Sequence, residues 1–229
     1  MESALAILLS GGLDSSTLLH HLRQTRPGAP IHALTFHYGQ RHACELECAA
    51  WQARAAGVAE HKILALDALR ELAGSASALI AGAAVPALSE IAPDQLDQPP
   101  TYVPNRNLLL LSLAAAYAEA HGITEVFYAA QHQDCYGYWD CTEEFLRRLN
   151  DLLALNRRAP VTVRAPFAAL DKSAVLQIGL QLGVDYSHTW TCYRGGEKAC
   201  GVCPSCVERL AAFRGAGAPD PAAYAVSAK

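Results

Sequence analysis

The sequence has no excess of positive charge and no long apolar run. Lys and Arg number 18 against 22 Asp and Glu, which gives a net charge of −4 and an isoelectric point near 6.1. A chain without a basic surface is a poor candidate for nucleic-acid binding, so we expect none, and a small substrate or a protein partner fits better. No apolar segment approaches the ~18 residues of a membrane span, and no signal-peptide pattern is present. We therefore expect a cytoplasmic protein with no membrane association.

The cysteine content indicates a chemical role for some of the cysteines. The chain has 229 residues, eight of them cysteine, and 52% are hydrophobic. That length is enough for one large α/β domain and a small appendage. Cytosolic proteins rarely form disulfides, so the cysteines favour a metal site or catalysis. Cys44 and Cys48 lie one helical turn apart and are interpreted as core residues.

Strand-like and helix-like segments alternate along the chain. Strands are predicted at 4–9, 31–37, 61–66, 124–130 and 161–164. Helices are predicted at 15–26, 41–56, 106–121, 141–156, 171–182 and 204–213. Helix ends are predicted at Gly57, Gly122 and Gly183, and helix caps at Asp140 and Asp171. The alternation predicts an α/β fold, a Rossmann-like parallel sheet with helices on both faces, in which ligands bind beyond the carboxyl ends of the strands.

The chain is expected to divide into three parts. Residues 1–185 form the α/β domain, 186–215 form a small helical lobe with four cysteines, and 216–229, rich in Ala, Pro and Gly, predict a flexible tail. Within the first part, residues 74–104 break the alternation and contain five prolines. A connection of that length is typical of a lid or a binding loop.

A glycine-serine loop follows the first predicted strand. Residues 10–16 read Ser-Gly-Gly-Leu-Asp-Ser-Ser. A loop that joins a strand to a helix turns backbone N–H groups toward an anion, and glycine lets the backbone approach a phosphate closely. No Lys-Ser/Thr pair follows this loop, so it is not the usual nucleoside-triphosphate P-loop, and the G-x-G-x-x-G pattern is absent. The string resembles the pyrophosphate-binding loop of N-type ATP pyrophosphatases, which split ATP into AMP and pyrophosphate; the alternative is a plain turn.

Four cysteines near the end of the chain have the spacing of a metal site. Cys192, Cys200, Cys203 and Cys206 read C-x7-C-x2-C-x2-C. Two Cys-x2 steps turn consecutive thiolates toward one ion, and four sulfurs complete a tetrahedral zinc site without an open position. We therefore expect a structural Zn²⁺. An iron–sulfur cluster and unligated thiols are the alternatives.

Four motifs, in order and with matching spacing, resemble one family, 7-cyano-7-deazaguanine synthase. They are the loop of residues 10–16, Phe36-His-Tyr-Gly-Gln-Arg-His42, Tyr102-Val-Pro-Asn-Arg-Asn107 and the cysteine cluster. Members of that family adenylate the carboxylate of 7-carboxy-7-deazaguanine. Ammonia then displaces AMP to give an amide, and a second ATP converts the amide to a nitrile. The resemblance implies the adenine nucleotide alpha hydrolase-like fold, ATP with Mg²⁺, and a homodimer.

The resemblance also implies residue roles. The residues expected to hold ATP are Ser10, Gly11, Gly12, Leu13, Asp14, Ser15, Ser16, Tyr38, Gln40 and Arg41. Arg106 and Asn107 are expected to face the reacting centre, Lys172 the phosphates, and Asp14 the Mg²⁺. Cationic donors of this kind stabilise the negative charge that grows on a pyrophosphate leaving group. Solvated surface charges are the alternative interpretation of Arg41, Arg106 and Lys172.

The segment after the fourth predicted strand departs from the family pattern. Gln131, Tyr136, Trp139 and Thr142 stand where the family has Asn, Ser, Pro and Arg. The residues expected to contact a deazaguanine are Asn107, Gln131, Asp134, Tyr138 and Asp140. A carboxylate can pair with the N–H edge of the base and a tyrosine can stack on it, so a deazapurine is still expected. The four changes are either a compensated repacking or a change in what attacks the adenylate.

Three hypotheses remain open at this stage. The first is an ATP-dependent C–N ligase of the resembled type that uses ammonia. The second keeps the adenylation but transfers the deazaguanine to a protein or peptide amine, because some relatives of the family occur in antiphage defence; His132 is then a candidate base. The third is a catalytically silent scaffold that binds nucleotide and zinc, against which the intact loop, Arg106 and Lys172 argue.

Overall fold

The computed structural model describes residues 2–40, 43–80, 84–95, 98–132 and 137–225. Its strands are β1 (Leu5–Leu8), β2 (Ile31–His37), β3 (Glu60–Ala65), β4 (Glu125–Phe127) and β5 (Thr162–Arg164). Its α-helices are α1 (Leu13–Thr25), α2 (Ala43–Ala55), α3 (Asp67–Ala73), α4 (Arg106–Ala120), α5 (Glu143–Leu153), α6 (Lys172–Gln181) and α7 (Pro204–Gly215). Within these ranges no helix is both long enough and apolar enough to cross a membrane.

The five strands form one parallel sheet in the order β3-β2-β1-β4-β5. The short apolar strand β1 is central, which explains why its four residues need no polar alternation. Leu5 pairs with Ile31 on one side and Ala6 with Val126 on the other. The predicted α/β fold with a parallel sheet is therefore confirmed.

Helices cover both faces of the sheet. Alternate residues of β1 point to opposite faces, as a pleated strand requires. Ile7 packs in a core that includes Leu18 of α1 and Leu176 of α6, whereas Ala6 packs in a core that includes Leu111 of α4. The second core continues into the cysteine lobe, so the sheet and the lobe share buried apolar residues.

Local signals placed most helix ends correctly. Gly57, Gly122 and Gly183 have positive φ angles at helix ends, and Asp171 caps α6 by accepting a hydrogen bond from Ala174 N at 2.7 Å. The prediction that Asp140 caps α5 is wrong. The cap is Thr142, whose Oγ1 accepts from Phe145 N at 3.1 Å. The helix α3 was not predicted from the sequence.

The long connection between α3 and α4 packs against the cysteine lobe. Leu88 N donates to Val202 O at 2.9 Å, and Arg194 Nε donates to Val85 O at 2.9 Å. Its role as a lid or binding loop stays a prediction, and residues 81–83 and 96–97 lie outside the described ranges.

A close approach of two elements at Gly179 allows a stability prediction. A Cβ at this position of α6 would lie 1.7 Å from Tyr186 Oη, which is 2.7 Å from Thr17 Oγ1 of α1. Alanine favours a helix over glycine by about 1 kcal/mol, but overpacking costs about 1–3 kcal/mol or more. We expect Gly179→Ala to lower the free energy of unfolding, measured by denaturant titration. Leu180→Ala, at a half-exposed neighbouring position, is the control; equal effects of the two changes would contradict the argument.

Candidate active site

A cavity of about 280 Å³ opens beyond the carboxyl ends of the central strands. The strand order reverses between β1 and β4, and ligands of open parallel sheets bind at such a reversal. The N-terminal turns of four helices contribute to the wall: α1 (Asp14), α4 (Asn107), α6 (Lys172) and α7 (Ser205). Because a helix N-terminus carries partial positive charge, the cavity suits an anionic ligand.

The loop of residues 10–16 forms the wall next to β1. Ser10 Oγ and Ser15 Oγ lie 2.9 Å apart, and Ser10 Oγ also accepts from Gly12 N at 3.2 Å. Five of the seven predicted loop residues line the cavity: Ser10, Gly12, Leu13, Asp14 and Ser15. Ser16 is fully buried and lies behind the wall. Gly11 also lies outside the lining.

Gly11 holds the loop against α2. Its φ is +82°, and a Cβ there would lie 2.3 Å from Glu45 O and 2.7 Å from Ala49 N. Both atoms belong to the backbone of α2 and cannot move aside cheaply. A glycine at this position is therefore required by the close contact of loop and helix as well as by its backbone conformation.

Lys172 lies between two carboxyl groups at the loop end of the cavity. Its Nζ donates to Glu208 Oε2 at 2.8 Å and lies 3.6 Å from Asp14 Oδ2. Burial raises the pKa of Asp14, and the charge of Lys172 opposes that shift. Glu208 belongs to α7, so the cysteine lobe contributes a carboxylate to the loop end of the cavity. Sequence reasoning assigned Glu208 no role.

Arg106 carries a half-buried cation in the wall of the same cavity. Burial alone would lower the pKa of Arg106, but the phenol groups of Tyr38, Tyr193 and Tyr138 raise it above its usual value. Its Nη1 donates to Tyr38 Oη at 3.4 Å. Tyr38 is itself fixed by Gln40, whose Oε1 accepts from Tyr38 N at 2.8 Å. The side chain of Arg106 is thus a permanent positive charge that faces the cavity.

Asn107 is positioned by the turn that precedes α5. Asp140 is buried and its Oδ2 accepts from Asn107 N at 3.0 Å, while Asn107 Nδ2 donates to Cys141 Sγ at 3.1 Å. Burial raises the pKa of Asp140, and its hydrogen bond from Asn107 N lowers it in part. Asn107 and Cys141 line the cavity, whereas Asp140 lies behind them. Asp140 therefore acts on Asn107, in contrast to the direct substrate contact expected from the sequence.

Two of the residues that depart from the family pattern, Trp139 and Thr142, have contacts with their neighbours. Trp139 Nε1 donates to Tyr102 Oη at 2.8 Å, and the indole meets Phe145 edge-on with ring centres 5.4 Å apart. Thr142 caps α5. Tyr138 lines the cavity. Two of the four residues that differ from the family pattern therefore have structural roles in this chain: Trp139 packs against its neighbours and Thr142 caps a helix.

Further predicted site residues either do not line the cavity or lie outside the described ranges. Gln131 is fully buried and lies outside the lining, and His132 beside it is exposed. Arg41 and Asp134 lie outside the described residues.

The four cysteines predicted to bind a metal come together. The Sγ atoms of Cys192, Cys200, Cys203 and Cys206 all lie within 4.8 Å of one another. Backbone N–H groups point at two of them: Cys200 N donates to Cys192 Sγ at 3.3 Å, and Cys203 N donates to Cys200 Sγ at 3.3 Å. Hydrogen bonding from two neighbouring thiols lowers the pKa of Cys192. This set of donors fits a tetrahedral metal with four thiolates.

The cysteine lobe touches the loop of residues 10–16 directly. Trp190 N donates to Gly11 O at 3.0 Å, and Trp190 Nε1 donates to Cys192 O at 3.0 Å. Trp190, Thr191 and Tyr193 also line the cavity. One indole-bearing residue therefore joins the cysteine cluster to the glycine-serine loop.

The chain after α7 is packed as far as Ala225, which differs from the flexible tail expected from composition. Asp220 accepts from Arg209 Nε at 2.9 Å and from Tyr224 Oη at 2.6 Å. Ala199 N donates to Ala223 O at 2.8 Å. A buried ion pair holds the segment, and an Ala/Pro/Gly composition does not reveal such a pair. Residues 226–229 lie outside the described ranges.

The fold defines a class of protein, the α/β proteins with one open parallel sheet and helices on both faces. The solved structure of NMN synthetase from Francisella tularensis superposes with a TM-score of 0.52 at 16% sequence identity, over 94% of this chain and 78% of that one, which shows a shared fold. The predicted fold class is confirmed.

The sequence defines the family within that class. The family model described as queuosine biosynthesis protein QueC matches residues 4–217, and the chain belongs to this family. It is 45% identical to the 7-cyano-7-deazaguanine synthase of Marinobacter nauticus over 98% of both chains. It is 44% identical to the protein of the same name from Alteromonas mediterranea, over 98% of this chain and all of that one. The resemblance to the 7-cyano-7-deazaguanine synthase family is confirmed.

Proposed function

We propose that the chain is an ATP-dependent carbon–nitrogen ligase that converts 7-carboxy-7-deazaguanine to the nitrile. The observation that carries the proposal is its 45% identity, over nearly the full length of both chains, to a protein named 7-cyano-7-deazaguanine synthase. The substrate carboxylate attacks the α-phosphate of ATP, which gives an acyl adenylate and pyrophosphate. Ammonia displaces AMP to form the amide. A second ATP activates the amide oxygen, and loss of AMP leaves the nitrile.

The cavity supplies what the adenylation step needs from the protein. The backbone of the loop and the N-terminus of α1 face the phosphates. Lys172 and Arg106 both place cations in the wall of this cavity. Charge that develops on a leaving pyrophosphate is stabilised most by donors that are fixed beforehand. Mg²⁺ accompanies ATP in this proposal, and Asp14, whose Oδ1 accepts no hydrogen bond from the residues that the structure describes, fits it as a ligand.

The acceptor in this proposal is ammonia. A protein or peptide amine, as in the antiphage hypothesis, would need a changed mouth of the site. The described residues that depart from the family pattern are Gln131, Trp139 and Thr142. Gln131 is buried away from the cavity lining, Trp139 has a packing contact, and Thr142 has a capping contact. Their contacts favour a compensated repacking. The homodimer and a cytoplasmic location stay predictions.

The test is turnover with defined substrates. Purified protein is incubated with ATP, Mg²⁺ and 7-carboxy-7-deazaguanine, with and without ammonium, and the products are identified by mass spectrometry. AMP together with the nitrile, only when ammonium is present, is the expected result. AMP or a trapped adenylate without amide or nitrile would contradict ammonia as the acceptor and support an amine on another protein. Absence of AMP would contradict the adenylation itself for this substrate.

We further propose that the cysteine cluster holds a structural zinc ion. Four thiolates leave no open position, so the metal fixes the lobe and takes no part in the reaction. We expect zinc to co-purify at one ion per chain, and its removal by a chelator to lower the temperature of unfolding, because metal binding is coupled to folding in such sites. Elemental analysis and thermal melts check this. Iron with the visible absorption of an iron–sulfur cluster would contradict it.

A further inference from the structure

A carboxyl group in the cavity has no role in the chemistry described so far. Glu45 lies in the first turn of α2, beyond the end of β2, and lines the cavity together with Arg106 and the loop residues. The close contact between Gly11 and the backbone of Glu45 fixes the position of this turn relative to the loop. Glu45 is therefore held next to the phosphate-binding elements without being one of them.

The electrostatics of the cavity make this carboxyl group exceptional. ATP and the substrate carboxylate are anions, which a carboxylate repels. Asp14 and Glu208 are offset by Lys172. The side chain of Glu45 makes no hydrogen bond or ion pair with the residues that the structure describes. The positive charge that most stabilises its carboxylate is that of Arg106 in the same cavity. Of the reactants in the proposed function, ammonium is the one that a carboxylate attracts, apart from the metal that accompanies ATP.

Resting on the proposed function, we propose that Glu45 binds the ammonium ion in the cavity and accepts the proton that ammonium must lose before it attacks the adenylate. The carboxylate takes one proton from NH₄⁺, and the lone pair of the resulting NH₃ forms the new C–N bond at the acyl carbon. The C–O bond to the phosphate breaks and its electron pair leaves with AMP. The second proton is lost from nitrogen as the amide forms and is taken up by water or by the AMP phosphate.

The environment of Glu45 suits a base that works near neutral pH. Burial raises the pKa of Glu45 to about 8. The charge of Arg106 lowers this pKa by a smaller amount, and Cys192 raises it further. A general base is most effective when its pKa lies near the working pH. The other ionisable groups that line the cavity in the described residues are Asp14, Tyr38, Arg106, Tyr138, Cys141, Lys172, Tyr193 and Glu208.

The experiment separates adenylation from nitrogen transfer in the full-length holoprotein. Adenylation is followed by exchange of labelled pyrophosphate into ATP, with 7-carboxy-7-deazaguanine and no ammonium. Nitrogen transfer is followed as amide and nitrile against ammonium concentration. For Glu45→Gln we expect exchange close to wild type, a raised KM for ammonium, and a turnover with ammonium lower by about 10²-fold or more, the size typical of a lost general base.

A neutral nucleophile provides the decisive comparison. Hydroxylamine is largely unprotonated at neutral pH, so it needs no proton acceptor before it attacks. Glu45→Gln is expected to form the hydroxamate at nearly the wild-type rate while it uses ammonium poorly. The variant is also expected to be as stable as the wild type in a thermal melt, because the half-buried Glu45 side chain has no ion pair among the described residues that an amide would lose. Should it fail to fold, Glu45→Asp, which retains the carboxylate, is compared in the same assays and is expected to raise the KM for ammonium without loss of exchange.

Glu47→Gln is the matched control, since Glu47 lies on the same helix but is exposed. It should leave all three assays unchanged. If Glu45→Gln uses ammonium normally, or loses exchange and hydroxamate formation to the same degree as ammonium use, the assignment of Glu45 is wrong. If wild-type protein shows no exchange at all, the proposed function fails first, and the two failures are thereby distinguished.

Discussion

Replacing Arg106 with glutamine is expected to slow adenylation by about 10²–10³-fold, the cost of removing one fixed donor from a developing charge. Arg106 lies in the cavity with its charge maintained by three surrounding phenols, which raise its pKa. Its hydrogen bond to Tyr38 Oη is long, at 3.4 Å, so loss of this bond should destabilise the fold little. Pyrophosphate exchange should fall, and the thermal midpoint should change little.

The control for Arg106 is an arginine that lies away from the cavity. Arg148 of α5 is exposed and pairs with Glu144, so Arg148→Gln should leave exchange unchanged. A reduction of exchange by less than about tenfold in Arg106→Gln would mean that this cation does not act on the transition state. Arg106→Gln and Glu45→Gln should differ in these assays. Arg106→Gln is expected to lower pyrophosphate exchange, whereas Glu45→Gln is expected to leave exchange intact and impair the use of ammonium.

Replacing Asp220 with alanine is expected to lower the free energy of unfolding by about 3–5 kcal/mol, because it leaves a buried guanidinium without its carboxylate. Asp220 and Arg209 are both almost fully buried, and Arg209 Nη1 also donates to Thr189 Oγ1 at 2.8 Å. For a chain of this size each kcal/mol lowers the melting temperature by roughly 2–4 °C. Denaturant titration and thermal melts measure the loss.

An exposed aspartate shows what the burial contributes. Asp151 pairs with Arg147 on the surface of α5 at 2.9 Å. Exposed pairs of this kind contribute about 0.3–0.5 kcal/mol, so Asp151→Ala should change the free energy of unfolding very little. If Asp220→Ala changed the free energy of unfolding as little, the ion pair between Arg209 and Asp220 would not hold the segment after α7.

The parts of the structure that depend on local order were predictable from the sequence. The alternation of strand-like and helix-like segments predicted the five strands to within a few residues. Glycines at 57, 122 and 183 marked helix ends. The spacing of the four cysteines predicted a cluster, and the thiols do meet. Each of these features is set by residues close together in the chain.

The parts that depend on contacts between distant residues were not predictable. Asp140 looked like a helix cap, but its carboxylate is used by Asn107, 33 residues earlier. Glu208 reaches Lys172 across 36 residues, and no pattern around Glu208 indicates that contact. The signal for Glu45 was present but weak: an acidic residue in the first turn of a helix that follows a strand at the edge where ligands bind.

The bond from Trp190 N to Gly11 O has a consequence for how the protein is made. The glycine-serine loop is synthesised well before residues 190–208, which supply further walls of the same cavity. A nascent chain therefore contains the loop long before the cavity around it can form. A chain that stops short of residues 190–208 has the loop without these walls, so the cavity can be complete only after they have been added.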